Sequence, residues 1–414
     1  MDTRELLAGM LLGAGITALI LFLLRKIAFR IDLLDRPDSR KQHQGAIPLV
    51  GGLGIYAGFV LTGLLLGIPL YDYAALIVGG LILVAVGLVD DLHELPPQAR
   101  FVAQAIAALL MIYWGGVELT DLGYLLPGID HPVKLAWLCV PFTVFATIGV
   151  INALNMVDGV DGLAGSVVLN ALLAWLSHDL ADVSVLLLLA SAVMAFLGFN
   201  WRFKLDKKPL MFLGDAGSLL LGFVLTWFMI KLSQGEHRAM APTTAPWLVA
   251  IPLIDTIVMM VRRIRKGRSP FTADREHFHH VLQYAGFNRR ETVFIILGAS
   301  VVFSAIGIAG ELQRVPEPVM LAAFLAVFAT YYALIMRSWR MMRFLKRSIC
   351  RRHKHDRRQL QDRRQQQIPW VGPERRQLAD RRQTLDRRTS GDTAPSSPTP
   401  SAPQSTGKKV GALR

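Results

Sequence analysis

Long apolar stretches separated by short polar ones run along the chain to about residue 336. They fall near 7–24, 49–69, 73–89, 101–117, 135–154, 159–177, 182–199, 210–230, 243–261, 292–310 and 317–336. Most are about 17–21 residues long, the length a helix needs to cross roughly 30 Å of hydrocarbon. The pattern predicts an all-α polytopic integral membrane protein with about 11 transmembrane helices and its two termini on opposite sides. The first stretch is too long for a typical signal-peptide core, and no small-residue cleavage site precedes Arg25 and Lys26. It reads as a retained anchor.

Composition agrees with this reading. Of the 414 residues 52% are hydrophobic and 18% charged, against about 25% charged in a soluble domain. The formal charge of +14 raises nucleic acid as a partner, but the placement of the basic residues argues against it. With loops 25–48, 90–100, 200–209 and 262–291 and everything from 337 on one side, that side holds all 45 Lys and Arg except Arg4, Lys134, Lys231, Arg238 and Arg314. Cytoplasmic loops collect Lys and Arg in this way. The expected orientation is therefore N-terminus periplasmic and C-terminus cytosolic, with no nucleic acid needed. The two cysteines, Cys139 and Cys350, imply neither a disulfide nor a metal-thiolate site.

The chain divides into a membrane domain, 1–345, and a basic tail, 346–414. The tail carries a six-residue repeat (DRRQLQ from Asp356, DRRQQQ from Asp362, ERRQLA from Glu374, DRRQTL from Asp380) before a Ser/Pro/Thr-rich end. A period of six keeps no single face on a 3.6-residue helix. The expectation is a disordered cytosolic segment, dispensable for chemistry.

Costly polar residues gather at the ends of the spans on the basic side. Asp90 and Asp91 close the third span in VGLVDDLHELPPQAR, where the helix dipole already disfavours negative charge. Asn152, Asn155, Asp158 and Asp161 lie in INALNMVDGVDGLAGS, with more oxygen-bearing side chains than a polar turn requires. Asp215 sits between glycines in KPLMFLGDAGS, where a helix N-cap is an equally good explanation. The loop RRIRKGRSPFTADREHFHH adds Arg275, His277, His279 and His280 to residues that are otherwise topogenic. The first loop contributes Lys41 beside Arg40 and His43, a weak signal. Hard oxygen ligands favour Mg²⁺ with phosphates over zinc, and arginine and histidine nearby suit a pyrophosphate. Asp255, about two turns inside the ninth span, is either functional or a buried structural group.

The DD pair, the NxxNxxDGxDGL block, the GDxGS block and the HxHH loop together resemble the polyprenyl-phosphate N-acetylhexosamine-1-phosphate transferases, of the glycosyltransferase family 4 type, over about residues 5–345. The stretches RKQHQGAIPLVGG, NALNMVDGVDGL, MFLGDAGS and SPFTADREHFHH are closest to the bacterial branch acting on UDP-GlcNAc and undecaprenyl phosphate. The phospho-MurNAc-pentapeptide branch has a different histidine loop. The resemblance implies formation of undecaprenyl-pyrophosphoryl-GlcNAc and UMP with Mg²⁺ (or Mn²⁺), at the cytosolic face of the bacterial inner membrane, as the first membrane step of O-antigen or enterobacterial common antigen-type glycans. It implies that Asp90 orients or deprotonates the lipid phosphate, supported by Asp91. Asp215 and Asn155 would hold the metal, and Asp158 and Asp161 would place the nucleotide. His279, with His277, His280 and Arg275, would stabilise charge, and Lys41 and Lys208 would touch phosphate. Direct attack and a double displacement through a phospho-aspartate both remain open, as do UDP-GalNAc or another donor and a homodimer.

Two other classes compete. A lipid-linked sugar transporter fits the span count, although it would show repeated halves and polar groups near the midplane. A non-catalytic scaffold would make the tail essential and the oxygen-rich loops superfluous.

Overall fold

The computed structural model describes residues 3–36, 45–176, 182–201, 209–236, 238–267, 269 and 277–337. Lys41, Lys208, Arg275 and the repeat tail lie outside the described residues.

Among the described residues the architecture is helical, with thirteen helices: α1 (Thr3–Ile31), α2 (Gly51–Leu65), α3 (Ala74–His93), α4 (Pro97–Tyr113), α5 (Cys139–Val157), α6 (Leu163–Trp175), α7 (Val183–Asn200), α8 (Gly214–Ser233), α9 (Ala245–Leu248), α10 (Ala250–Arg265), α11 (Phe278–Tyr284), α12 (Arg289–Leu312) and α13 (Glu317–Met336). A two-stranded antiparallel ribbon, β1 (Leu34–Asp35) with β2 (Ile47–Pro48), pairs Leu34 with Pro48 and Asp35 with Ile47.

Every apolar stretch of the sequence carries helix, and the chain is a multi-pass membrane protein of the all-α class. Among the described residues seven segments are long and apolar enough to cross a membrane. The eleven predicted spans include four that fall short of this, for physical reasons. α6 has 13 residues and rises about 20 Å, yet most of it is buried against protein. α2 is likewise short, with 15 residues. α4 carries Gln98, Arg100 and Gln104, and the ninth stretch is broken into α9 and α10. The break falls where Pro252 would clash with the carbonyl of Leu248 and could offer it no N–H.

The most enclosed element is α8, whose residues from Ala216 to Ile230 are all buried. It is sheathed by α2, α3, α5 and α6. Close approach is made by glycine: a Cβ on Gly52 would lie 2.2 Å from the amide nitrogen of Gly217. A Cβ on Gly87 of α3 would lie 2.3 Å from the Cα of Ala216. Both contacts press on the first turn of α8, and the site is built there. A separate apolar cluster joins α10 and α13 through Ile254, Met259, Met320 and Phe324. A third places Leu282 of α11 and Val293 of α12 against Val157, Val160 and Leu163, at the α5–α6 junction.

Candidate active site

The polar ends of α3, α5 and α8 converge on one cavity of about 1330 Å³, lined among others by Asp90, Asp91, Asp158, Asp161, Asp215 and His280. A drug-sized ligand typically fills a pocket of about 300–1,000 Å³, so this space is large enough for two substrates side by side.

α3 stops because Glu94 takes a left-handed conformation (φ 47°) and Pro96-Pro97 follows; proline suits the first turn of α4. The turn folds back onto Asp90, whose Oδ1 accepts from the Leu95 amide at 2.7 Å. Its other oxygen lies 3.0 Å from Nη1 of Arg100, in the first turn of α4. Asp90 is buried, and this ion pair offsets the cost of burying it. The same Arg100 nitrogen is 4.0 Å from Asp215 Oδ2, so one guanidinium faces two carboxylates.

Asp91 serves the neighbouring helix. Its Oδ1 accepts from the Asp215 amide at 3.0 Å and its Oδ2 from the Ala216 amide at 3.4 Å. These first-turn N–H groups of α8 have no intrahelical acceptor, and the cap comes from another span. Gly214 makes room: its φ is +74°, and a Cβ there would lie 2.6 Å from Asp91 Oδ2. The capping role that the sequence allows Asp215 is thus filled by Asp91. The Asp215 side chain turns to the cavity, where Nδ2 of Asn155 donates to its Oδ1 at 2.6 Å and to Ser218 Oγ at 2.8 Å.

α5 ends at Val157, and the turn 158–162 reverses the chain at Gly162 (φ +82°). Asp158 presents part of its surface to the cavity. Burial, and then the charges of Asp215, Asp91 and Asp161, hold its carboxyl well above the usual carboxylate range. Asp161 lies 3.9 Å from Nη1 of Arg289, which opens α12. Asn200 braces the turn, accepting from the Gly162 amide at 2.6 Å and donating to the Met211 carbonyl at 2.9 Å. Asn152 points elsewhere, donating to Gln104 of α4 at 2.7 Å.

The three histidines divide. His280 lines the cavity. His279 is buried and presses on the turn: a Cβ on Gly159 would meet its Nε2 at 2.7 Å. His277 turns away, with Nδ1 2.9 Å from Asp255 Oδ2 and Nε2 3.3 Å from Arg263 Nη2.

Burial first, then the rings of His280 and His277, pushes the His279 imidazole down to about 3. It is neutral at physiological pH and can act there as a hydrogen-bonding group. Because the unfolded chain takes up this proton near pH 6.5 and the folded one only near 3, stability falls as pH drops through that window. His279→Gln is therefore expected to lose less thermal stability than the parent between pH 7 and pH 4. Parallel melting curves in detergent check this, and equal losses would refute it.

Arg100, Arg289 and Asn200 are the functional candidates that residue patterns do not single out. The two arginines look topogenic in the sequence, and Asn200 is a lone polar residue at a span end.

Among the described residues no three His, Cys, Asp or Glu side chains form a ready-made metal cage. Mg²⁺ seldom uses one; it takes one or two carboxylates and completes its shell with water and substrate phosphate. The all-oxygen donors Asp215 and Asn155 fit that mode, and a wall of carboxylates would otherwise repel a pyrophosphate.

A helical bundle with membrane-length apolar helices and a carboxylate-rich cavity at its helix ends has the build of a membrane enzyme. Residues 73–233, which include Asp90, Asp91, Asp158, Asp161 and Asp215, match the model of glycosyl transferase family 4. Relatives named undecaprenyl-phosphate alpha-N-acetylglucosaminyl 1-phosphate transferase extend the match. That of Salmonella typhi is 36% identical over 335 residues, 80% of this chain and 91% of the relative. Those of Yersinia pestis and Haemophilus influenzae are 38% and 39% identical, covering 79% and 81% of this chain and 90% and 95% of the relatives. The chain belongs to glycosyl transferase family 4, and it is an enzyme, a phosphotransferase.

Proposed function

We propose that this protein transfers GlcNAc-1-phosphate from UDP-GlcNAc to undecaprenyl phosphate, releasing UMP. The single observation that carries the reading is the convergence of Asp90, Asp91, Asp158, Asp161 and Asp215 with His280 on one cavity, in a chain whose relatives are named for this reaction. A phosphate oxygen of the lipid attacks the sugar-linked phosphorus of the donor. A P–O–P bond forms to the lipid, and the bond from that phosphorus to the bridging oxygen breaks. The bridging oxygen leaves with UMP.

Asp90 takes the lipid phosphate's proton or orients it, with Arg100 between it and Asp215. Asp215 and Asn155 would hold Mg²⁺, which would supply positive charge against the pyrophosphate. Asp158 and Asp161 place the nucleotide, and His279 and His280 border the phosphates or sugar. Positioning and charge neutralisation supply most of the rate, since phosphoryl transfer needs little covalent chemistry from the protein. The concentration of Lys and Arg in the loops on the cavity's side supports a cavity that faces the cytosol at the bacterial inner membrane, with a periplasmic N-terminus. The product would begin an O-antigen or enterobacterial common antigen-type glycan.

The test is transfer of label from UDP-[¹⁴C]GlcNAc to butanol-extractable lipid by purified protein with undecaprenyl phosphate and Mg²⁺. Label that EDTA abolishes and added Mg²⁺ restores is the expected result. Label from a different UDP-sugar alone would change the donor. No label from any donor with folded protein would sink the reading.

A further inference from the structure

Asp255 lies in α10, buried to 2% exposure, and its side chain does not reach the cavity lining. Isolated in a bundle core a carboxylate would cost several kcal/mol even after relaxation. It is held by three donors from two other parts of the chain. His277 Nδ1 approaches Oδ2 at 2.9 Å, the Phe278 amide donates to Oδ1 at 3.2 Å, and Tyr331 of α13 donates its hydroxyl to Oδ1 at 2.5 Å. A carboxylate can accept at both oxygens, whereas an amide in its place would turn an NH₂ group toward one of these donors. The contact also selects one tautomer: with the proton on Nδ1, His277 donates to Asp255 and its Nε2 accepts from Arg263 at 3.3 Å.

The network continues to the site. The His277 ring stacks on His279 with 6.0 Å between centroids and 4° between planes. His279 lies 4.1 Å, centroid to centroid, from His280, which lines the cavity. The Phe278 ring packs edge-on against Tyr331 at 5.7 Å, so α13 grips the start of α11 twice.

We infer that Asp255 is a positioning residue for the transfer reaction: with Tyr331 it fixes the start of α11, and so holds His279 against Gly159 and His280 at the cavity wall. This rests on the function proposed above for the cavity, but the fixing of α11 is measurable without turnover. The carboxylate and α13 touch no substrate and act through the histidines.

The test uses the full chain in nanodiscs with Asp255→Asn and the milder Tyr331→Phe, which keeps the ring. By hydrogen exchange, amides of 277–284 should exchange at least about tenfold faster in both variants, with α3 and α8 unchanged. In the transfer assay kcat should fall roughly tenfold or more for Asp255→Asn and less for Tyr331→Phe, with KM for UDP-GlcNAc within about twofold. In a His279→Ala background the Asp255→Asn loss should largely vanish, because the two act in one chain.

Unchanged exchange in 277–284, or faster exchange throughout the bundle, would overturn the inference, and so would local loosening with full kcat or additive losses with His279→Ala. If the parent protein transfers no label at all, local loosening alone still establishes the anchor, and the failure then belongs to the proposed reaction.

Discussion

Asp90→Asn is expected to reduce transfer by roughly 10²- to 10⁴-fold, the range for losing a proton-transfer group, while the protein remains folded. The geometry explains why the isosteric change separates the two roles. The Leu95 amide donates to Asp90 Oδ1, and an Asn carbonyl accepts that bond equally well, so the turn between α3 and α4 survives. The charge facing Arg100 is lost, along with any ability to take a proton from a lipid phosphate. Radiolabel transfer measures the first effect and a melting curve the second. Activity near that of the parent would remove Asp90 from the mechanism. Asp91→Asn should differ, because both Asp91 oxygens accept amides of α8 and an Asn would turn its NH₂ toward one of them. It should lose activity and thermal stability together.

Gly87→Ala is expected to be nearly as damaging without altering a polar group. The added Cβ would lie 2.3 Å from the Cα of Ala216, 2.4 Å from its nitrogen and 2.7 Å from the carbonyl carbon of Asp215. All three are backbone atoms, so neither helix can relieve the clash by rotating a side chain. α3 and α8 must part, carrying Asp91 and Asp215 with them. Overpacking of this kind costs about 1–3 kcal/mol, and a displacement of about 1 Å at a reacting centre can cost roughly 10²-fold in rate. Gly149→Ala is the control, since nothing lies within 4 Å of a Cβ there. The pair should be compared by kcat and by melting temperature. Equal kcat values would show that the α3–α8 spacing does not set the rate.

Much of this architecture is legible in the sequence because a bilayer imposes length and apolarity on whatever crosses it. The carboxylates at the ends of α3, α5 and α8 are legible for the converse reason: charge at such a boundary is costly. A hydropathy average passes over the interruption at Val249, where a single proline sets the break between α9 and α10. The histidines read as one cluster from spacing alone, yet the extended conformation of His277 (φ −62°, ψ 158°) separates it from the helix that carries His279 and His280. Its partner Asp255 is 22 residues away, and Tyr331 lies 76 beyond Asp255. No local pattern connects them. Arg100 is hidden differently, because a basic residue at the end of an apolar stretch already has a topological explanation.

The sheathing of α8 has a consequence for the surrounding lipid. α1 and α13 expose many apolar side chains, among them Leu11, Leu19, Val319 and Leu325, the surface that a spanning helix turns to acyl chains. Thinning or thickening the bilayer is accommodated by tilt and adjustment of helices in contact with it. Those adjustments fall on the rim, while α8 has only protein for neighbours along most of its length. The proposed site at its first turn is therefore mechanically insulated from the thickness and composition of the surrounding membrane.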